Sequence, residues 1–133
     1  MIRFVVNESY GSSHEAPSND GFCVPLNDLT GLYPSDIYSS NAYRLYGEGR
    51  SYAKKTMDLI QSYKSKPEAS VTIYRAVPKK ISSINRGDWI TLTKEYASEH
   101  GKRILKDFTL LSKVVKAKQV WSNADSIYEF GYD

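Results

Sequence analysis

The chain has 133 residues, of which 41% are hydrophobic and 25% charged, enough to bury one core, too short for two comfortable ones and too apolar for a disordered or fibrous protein. Its formal charge of +3 and pI near 8.9 are a mild excess that favours an anionic partner without concentrating basic residues as a dedicated nucleic-acid module does. Cys23 is the single cysteine, so no intrachain disulfide or cysteine-based zinc site can form, and with no signal-peptide-like or membrane-length apolar run one cytoplasmic domain, 1–133, is expected.

Residues 2–6 have the β-branched and aromatic content of a short strand, and a dense run of turn formers from Gly11 to Gly21 reads as a loop. Ser35 or Asp36 can cap a helix on which Ile37, Tyr38, Ala42, Tyr43 and Tyr46 recur at helical spacing, with Gly47 and Gly49 as its stop. A second helix is predicted over residues 51–65, because Ala53, Met57 and Ile60 share a face and Pro67 closes the run. The period then changes. Residues 71–77 alternate as a strand ending at Pro78, residues 85–88 form a turn, and residues 89–93 form a second strand. Thr93 is a natural N-cap for a helix over residues 94–104. The tail reads as an apolar stretch at 108–111, a strand over 112–121, a turn at 122–125 and a last strand over 127–130. Helices first and short strands after, without βαβ alternation, predict an α+β fold.

Three polar positions fall in predicted strands where neutral residues are commoner: Arg75, the Thr91/Thr93 pair and Glu129. Taken singly, each has an ordinary explanation as a surface charge, a strand-favouring Thr or an acid that discourages edge pairing. Their order changes the reading. Tyr74-Arg75, then Thr91-Leu92-Thr93 followed by Tyr96-Ala97, then Glu129 near the end resemble the three motifs of the Arg-Ser-Glu class of ADP-ribosyltransferases. The blocks at 21–29, 33–38, 73–78 and 87–91 are similar to an ADP-ribosyltransferase-like domain of bacteriophage and mobile-element proteins.

The resemblance implies split antiparallel sheets with N-terminal helices, NAD as co-substrate, no metal, and transfer of ADP-ribose to a host macromolecule. A protein is the expected acceptor, RNA the lesser one, and no membrane partner is implied. Arg75 would clamp the pyrophosphate through its forked donors. Glu129 would stabilise the positive charge that develops on the ribose as the nicotinamide bond breaks, and Thr91, aligned with the first Ser of the family motif, would hold that carboxylate or the ribose. Thr93 is either a second cofactor contact or a helix cap. Tyr74, Trp89, Tyr96 and Tyr128 are rings able to stack on nicotinamide or adenine, and His14 in the first loop is a lid residue over the cofactor.

Two departures from the family leave the acceptor open. Ile127 stands where members that modify Arg or Asn carry Glu or Gln, with Asp125 in the preceding turn as a substitute, and Thr-Leu-Thr lacks the central hydroxyl of Ser-Thr-Ser. Two rival functions follow: an NAD glycohydrolase, in which water replaces the acceptor, and a catalytically silent domain that blocks a host defence protein as some anti-CRISPR proteins do. His100 is expected on a helix flank and Cys23 as a small buried filler.

Overall fold

A computed structural model describes residues 15–133; the predicted strand at 2–6 and His14 lie outside the described residues. After a two-residue strand, β1 (Val24–Pro25), the chain makes 3-10 turns at Leu29–Gly31 and Ser35–Tyr38. Asp28 caps the first turn, accepting from the Thr30 amide. The predicted helix from Ser35 to Tyr46 is instead broken, with an α-helix, α1, at Ala42–Tyr46 only. Ser39 is extended, at φ −81 and ψ 162, because Ser39-Ser40-Asn41 are weak helix formers. The carbonyls of Ile37 and Ser39 both accept from the Gln61 amide at 3.1 and 2.8 Å, which replaces the lost helical bonds.

The second helix, α2 (Ala53–Ser62), is shorter than predicted by a few residues at its two ends, and it buries Ala53, Thr56, Met57 and Ile60 along one stripe. A Cβ on Gly47 would come within 2.4 Å of the Ala53 Cβ, so the α1–α2 junction closes only on a residue without a side chain. Truncating Ile60, which is fully buried, to Ala would cost roughly 2–5 kcal/mol.

The longest strands, β2 (Ser70–Pro78) and β4 (Phe108–Lys116), pair antiparallel from Ser70↔Lys116 to Pro78↔Phe108 as a two-stranded ribbon. Between them lie β3 (Trp89–Ile90), a helix α3 (Lys94–His100) and a π-turn at Gly101–Leu105. β4 begins at the apolar stretch 108–111 and stops at Lys116, whose amide donates to the Gln119 side chain at 2.9 Å. A 3-10 turn at Ala117–Gln119 then delivers the chain to a separate strand, β5 (Val120–Ser122), in place of the single strand predicted over 112–121. The last strand, β6 (Phe130–Tyr132), starts later than expected, because the Ser126 hydroxyl accepts from the Tyr128 amide and holds residues 126–128 in a turn.

The second sheet has the order β1-β5-β6-β3, all antiparallel. One bridge, Tyr74↔Thr91, links it to the ribbon. Thr91 leaves the β3–β6 ladder to make that bridge, which is why β3 is two residues long rather than five. Gly131 is required where the chain crosses β6, since a Cβ there would meet the Pro17 backbone. The protein is thus a mixed α+β fold with antiparallel sheets and a few helices. One apolar cluster runs from Ala16 to Tyr132 and includes Leu26, Leu29, Ile37, Met57, Ile73, Ile90 and Phe130.

Candidate functional site

The junction of the two sheets gathers the polar residues that the sequence singles out. In the β3–β6 ladder Ile90 faces Phe130, so the next positions outward are Thr91 and Glu129. Thr91 exchanges two backbone hydrogen bonds with Tyr74, at 2.8 and 3.0 Å. Its side chain is buried, and its hydroxyl has no hydrogen-bond partner among the described residues. Such an orphan inside a folded protein calls for an explanation. Glu129 lies just before β6 rather than within it and is 1% exposed. Its carboxylate accepts from the Tyr96 hydroxyl at 2.7 Å.

Thr93 caps α3: its hydroxyl accepts from the Tyr96 amide at 3.3 Å. The cap fixes the first turn of α3 and with it Tyr96, whose ring stacks on Tyr128 with centroids 5.2 Å apart and planes 6° from parallel. Burial, then the charge and hydrogen bond of Glu129, push the Tyr96 phenol far above its ordinary range. It is therefore a fixed donor to the carboxylate at any neutral pH.

A residue that sequence patterning left among the scattered basic ones completes this centre. Arg50 follows Gly49 in the α1–α2 connection, and its guanidinium lies 5.1 Å from both the Tyr96 and Tyr128 ring centroids. The same group donates to Glu99 at 2.8 Å, and the Tyr52 hydroxyl donates to the same Glu99 oxygen at 2.9 Å. Tyr52 meets Tyr128 edge-on at 5.6 Å. The Tyr128 hydroxyl donates to the Gly47 carbonyl at 2.8 Å, which ties the turn before Glu129 to the α1–α2 connection. Burial raises the Tyr52 and Tyr128 phenols to about 12.

Arg75 occupies the other end of the junction. Its Nη1 donates to the Trp89 carbonyl at 2.6 Å, and its Nε lies 3.9 Å from an Asp88 oxygen. Arg75 lines a cavity of about 400 Å³, walled by Val77, Pro78, Ile81 and Leu105, with Ser83, Asn85 and Asp88 as polar lining. Its charge also reaches His100, one helical turn beyond Tyr96. His100 is buried in α3 rather than set on its flank, and burial, then the charges of Arg103 and Arg75, lower its imidazole to about 4.

The remaining candidates are distributed elsewhere. Tyr74 and Thr93 line a separate cavity of about 290 Å³ with Lys55, Leu59 and Leu92. Trp89 and Tyr96 are buried in the core, so their rings do not stand open to solvent. Cys23 is half-buried rather than buried, and burial raises its thiol. Among the described residues no group of three His, Cys, Asp or Glu side chains could hold a metal, and no helix is long and apolar enough to cross a membrane. No family model matches the chain, and neither a curated protein nor a solved structure matches it.

Proposed function

We propose that the chain is an ADP-ribosyltransferase-like domain that transfers ADP-ribose from NAD to a host macromolecule, a protein in the host cytoplasm foremost. The observation that carries this reading is the buried carboxylate of Glu129, held by Tyr96 at 2.7 Å, together with the orphan hydroxyl of Thr91 one residue beyond the Ile90–Phe130 pair. An anion fixed by a neutral donor is suited to stabilise a ribosyl cation, because its position costs no reorganisation during reaction. The Thr91 hydroxyl is free to bond a ribose hydroxyl. Two antiparallel sheets meeting at Tyr74 and Thr91 are compatible with the split-sheet arrangement of that family. Arg75 supports the same reading, since a cation at the edge of a cavity of about 400 Å³ suits the pyrophosphate and one nucleoside of a dinucleotide.

A second reading is favoured by one observation: Glu129 is 1% exposed and the rings beside it are already stacked. A domain closed in this way and acting by occupying a host protein would need no turnover. Incubation of the protein with NAD labelled in the ADP-ribose half, with and without host lysate, separates the two. Release of nicotinamide with label on protein is the expected result. Nicotinamide without label assigns hydrolysis, in keeping with the buried Ile127 at the acceptor-activating position. Absence of both gives the site to the silent domain.

A further inference from the structure

The free edge of the β2–β4 ribbon is set by one pair of main-chain bonds. Tyr74 donates its amide to Thr91 at 2.8 Å and accepts from the Thr91 amide at 3.0 Å, so neither group is left for Ser112, the residue it faces in β4. Main-chain groups alternate in direction along a strand, which turns those of Leu110, Ser112 and Val114 away from β2. Lys116 follows the same alternation, since its amide donates to the Gln119 side chain although Ser70 stands opposite. The main-chain groups of Leu110, Ser112 and Val114 meet no partner outside the ladder among the described residues. The devices that usually guard an edge are not in place along β4. The strand contains no proline, and its register with β2 runs without a bulge from Phe108 to Lys116. Its two lysines are engaged elsewhere: Lys113 reaches back to the Ile84 carbonyl at 3.5 Å and the Tyr132 ring at 5.3 Å, and Lys116 pairs with Glu68 at 2.8 Å. Val114 is left 65% exposed.

An unguarded edge of this length accepts another strand. We propose that β4 pairs antiparallel with β4 of a second copy of this chain, on a two-fold axis through Ser112, which joins the two ribbons into one four-stranded sheet. The side chains select that register. Leu110 then faces Val114 of the second copy and Leu111 faces Lys113, so the exposed valine is covered and no two lysines meet. The outward groups of Leu110, Ser112 and Val114 are the ones brought together, and each opposed pair exchanges both its bonds. An axis through Lys113 would set that lysine against its own copy. An axis through Leu111 would leave Val114 opposite Phe108, whose ring is already packed over Gly101. The pairing uses main-chain groups of β4 and none of the polar side chains at the sheet junction, so it holds whether or not the chain turns over NAD.

The test follows the apparent mass of the whole chain by sedimentation equilibrium, and amide hydrogen exchange by NMR, over about 0.01–1 mM protein, because contact through one edge is small for a specific interface. The expected result is a mass that climbs from one chain towards two, with exchange at Leu110, Ser112 and Val114 slowing as the concentration rises. Ser112→Lys and Ser112→Glu each place like charges on the axis and should each weaken the dimer by about two- to fivefold, whereas an equimolar mixture of the two should restore it. Ser112 is exposed, so both variants should melt with the parent, and recovery in the mixture excludes a folding defect. A mass of one chain throughout, a dimer indifferent to charge at position 112, or a mixture that fails to restore association would each overturn the proposal. So would edge amides that are already slow in the dilute protein, since the edge would then be covered within a single chain.

Discussion

Glu129 and Arg75 are held at the sheet junction in different ways. The acid is sealed, held by a neutral phenol at 2.7 Å inside an aromatic stack. The base lies against a backbone carbonyl at 2.6 Å, with Asp88 3.9 Å away, at the edge of a cavity. A charge meant to act on a transition state benefits from a dry, fixed position, where each interaction is stronger than in water. A guanidinium meant to hold a phosphate offers several forked donors, so it can keep part of its protein contacts while it binds the ligand.

The sharpest way to break this contrast is Glu129→Gln. It keeps volume and a hydrogen-bond acceptor for Tyr96 but removes the negative charge, so nicotinamide release should fall by about two orders of magnitude or more. The melting temperature should hardly move. A biological effect that survives Glu129→Gln while turnover is lost or was never present gives the function to a surface instead. Arg75→Ala attacks the cavity end: NAD affinity measured by calorimetry should drop by about 1.5–3 kcal/mol, the scale of a charged hydrogen-bonded contact. An unchanged affinity would assign Arg75 to the scaffold that carries Trp89.

Tyr96→Phe sharpens the sealed end. It retains the stack on Tyr128 and deletes the hydroxyl that donates to Glu129 at 2.7 Å. Leaving a buried carboxylate oxygen short of a donor should cost about 1–3 kcal/mol in denaturant unfolding. A loss well below that range would mean that other donors already hold the carboxylate in place.

The sequence made the local features legible and the non-local ones illegible. The alternation at Val71 and Ile73 announces β2, the Ala53, Met57 and Ile60 spacing announces α2, and Thr93 before Lys94 announces a cap, because each signal acts within a few residues. The break after Tyr38 depends on Gln61 reaching carbonyls more than twenty residues away. The end of β4 depends on one side chain, Gln119, and the late start of β6 on one hydroxyl, Ser126. Glu129 was legible as a polar residue late in the chain, although its burial and its partner were not. Arg50 carried no spacing signal at all, since its ring partners stand at 96 and 128 and its acid at 99.

The smallest expected effect joins the two ends of α3 through His100. Its ordinary imidazole value is 6.5, and in the fold it lies near 4, lowered by burial first and then by Arg103 and Arg75. The folded protein therefore holds this ring neutral, while the unfolded chain takes up a proton once the pH falls below about 6.5. Stability should be level with respect to this group above that value, erode as the pH falls from 6.5 towards 4, and level off below. The loss should be on the order of 2 kcal/mol by pH 5, and the difference between the parent and His100→Asn isolates it from carboxylate titration. The ring also works as a gauge of distance. If Arg75 and Glu129 share one face of α3, Arg75→Ala removes a like charge near His100, and the imidazole should titrate a few tenths of a unit higher by NMR, roughly the influence of one charge through partly solvated protein. Glu129→Gln, acting one turn away through Tyr96, should move it less. An imidazole that titrates identically in the parent and in Arg75→Ala would separate the two ends, and the contrast between the phenol-held acid and the carbonyl-held guanidinium would then describe two unrelated places instead of one site.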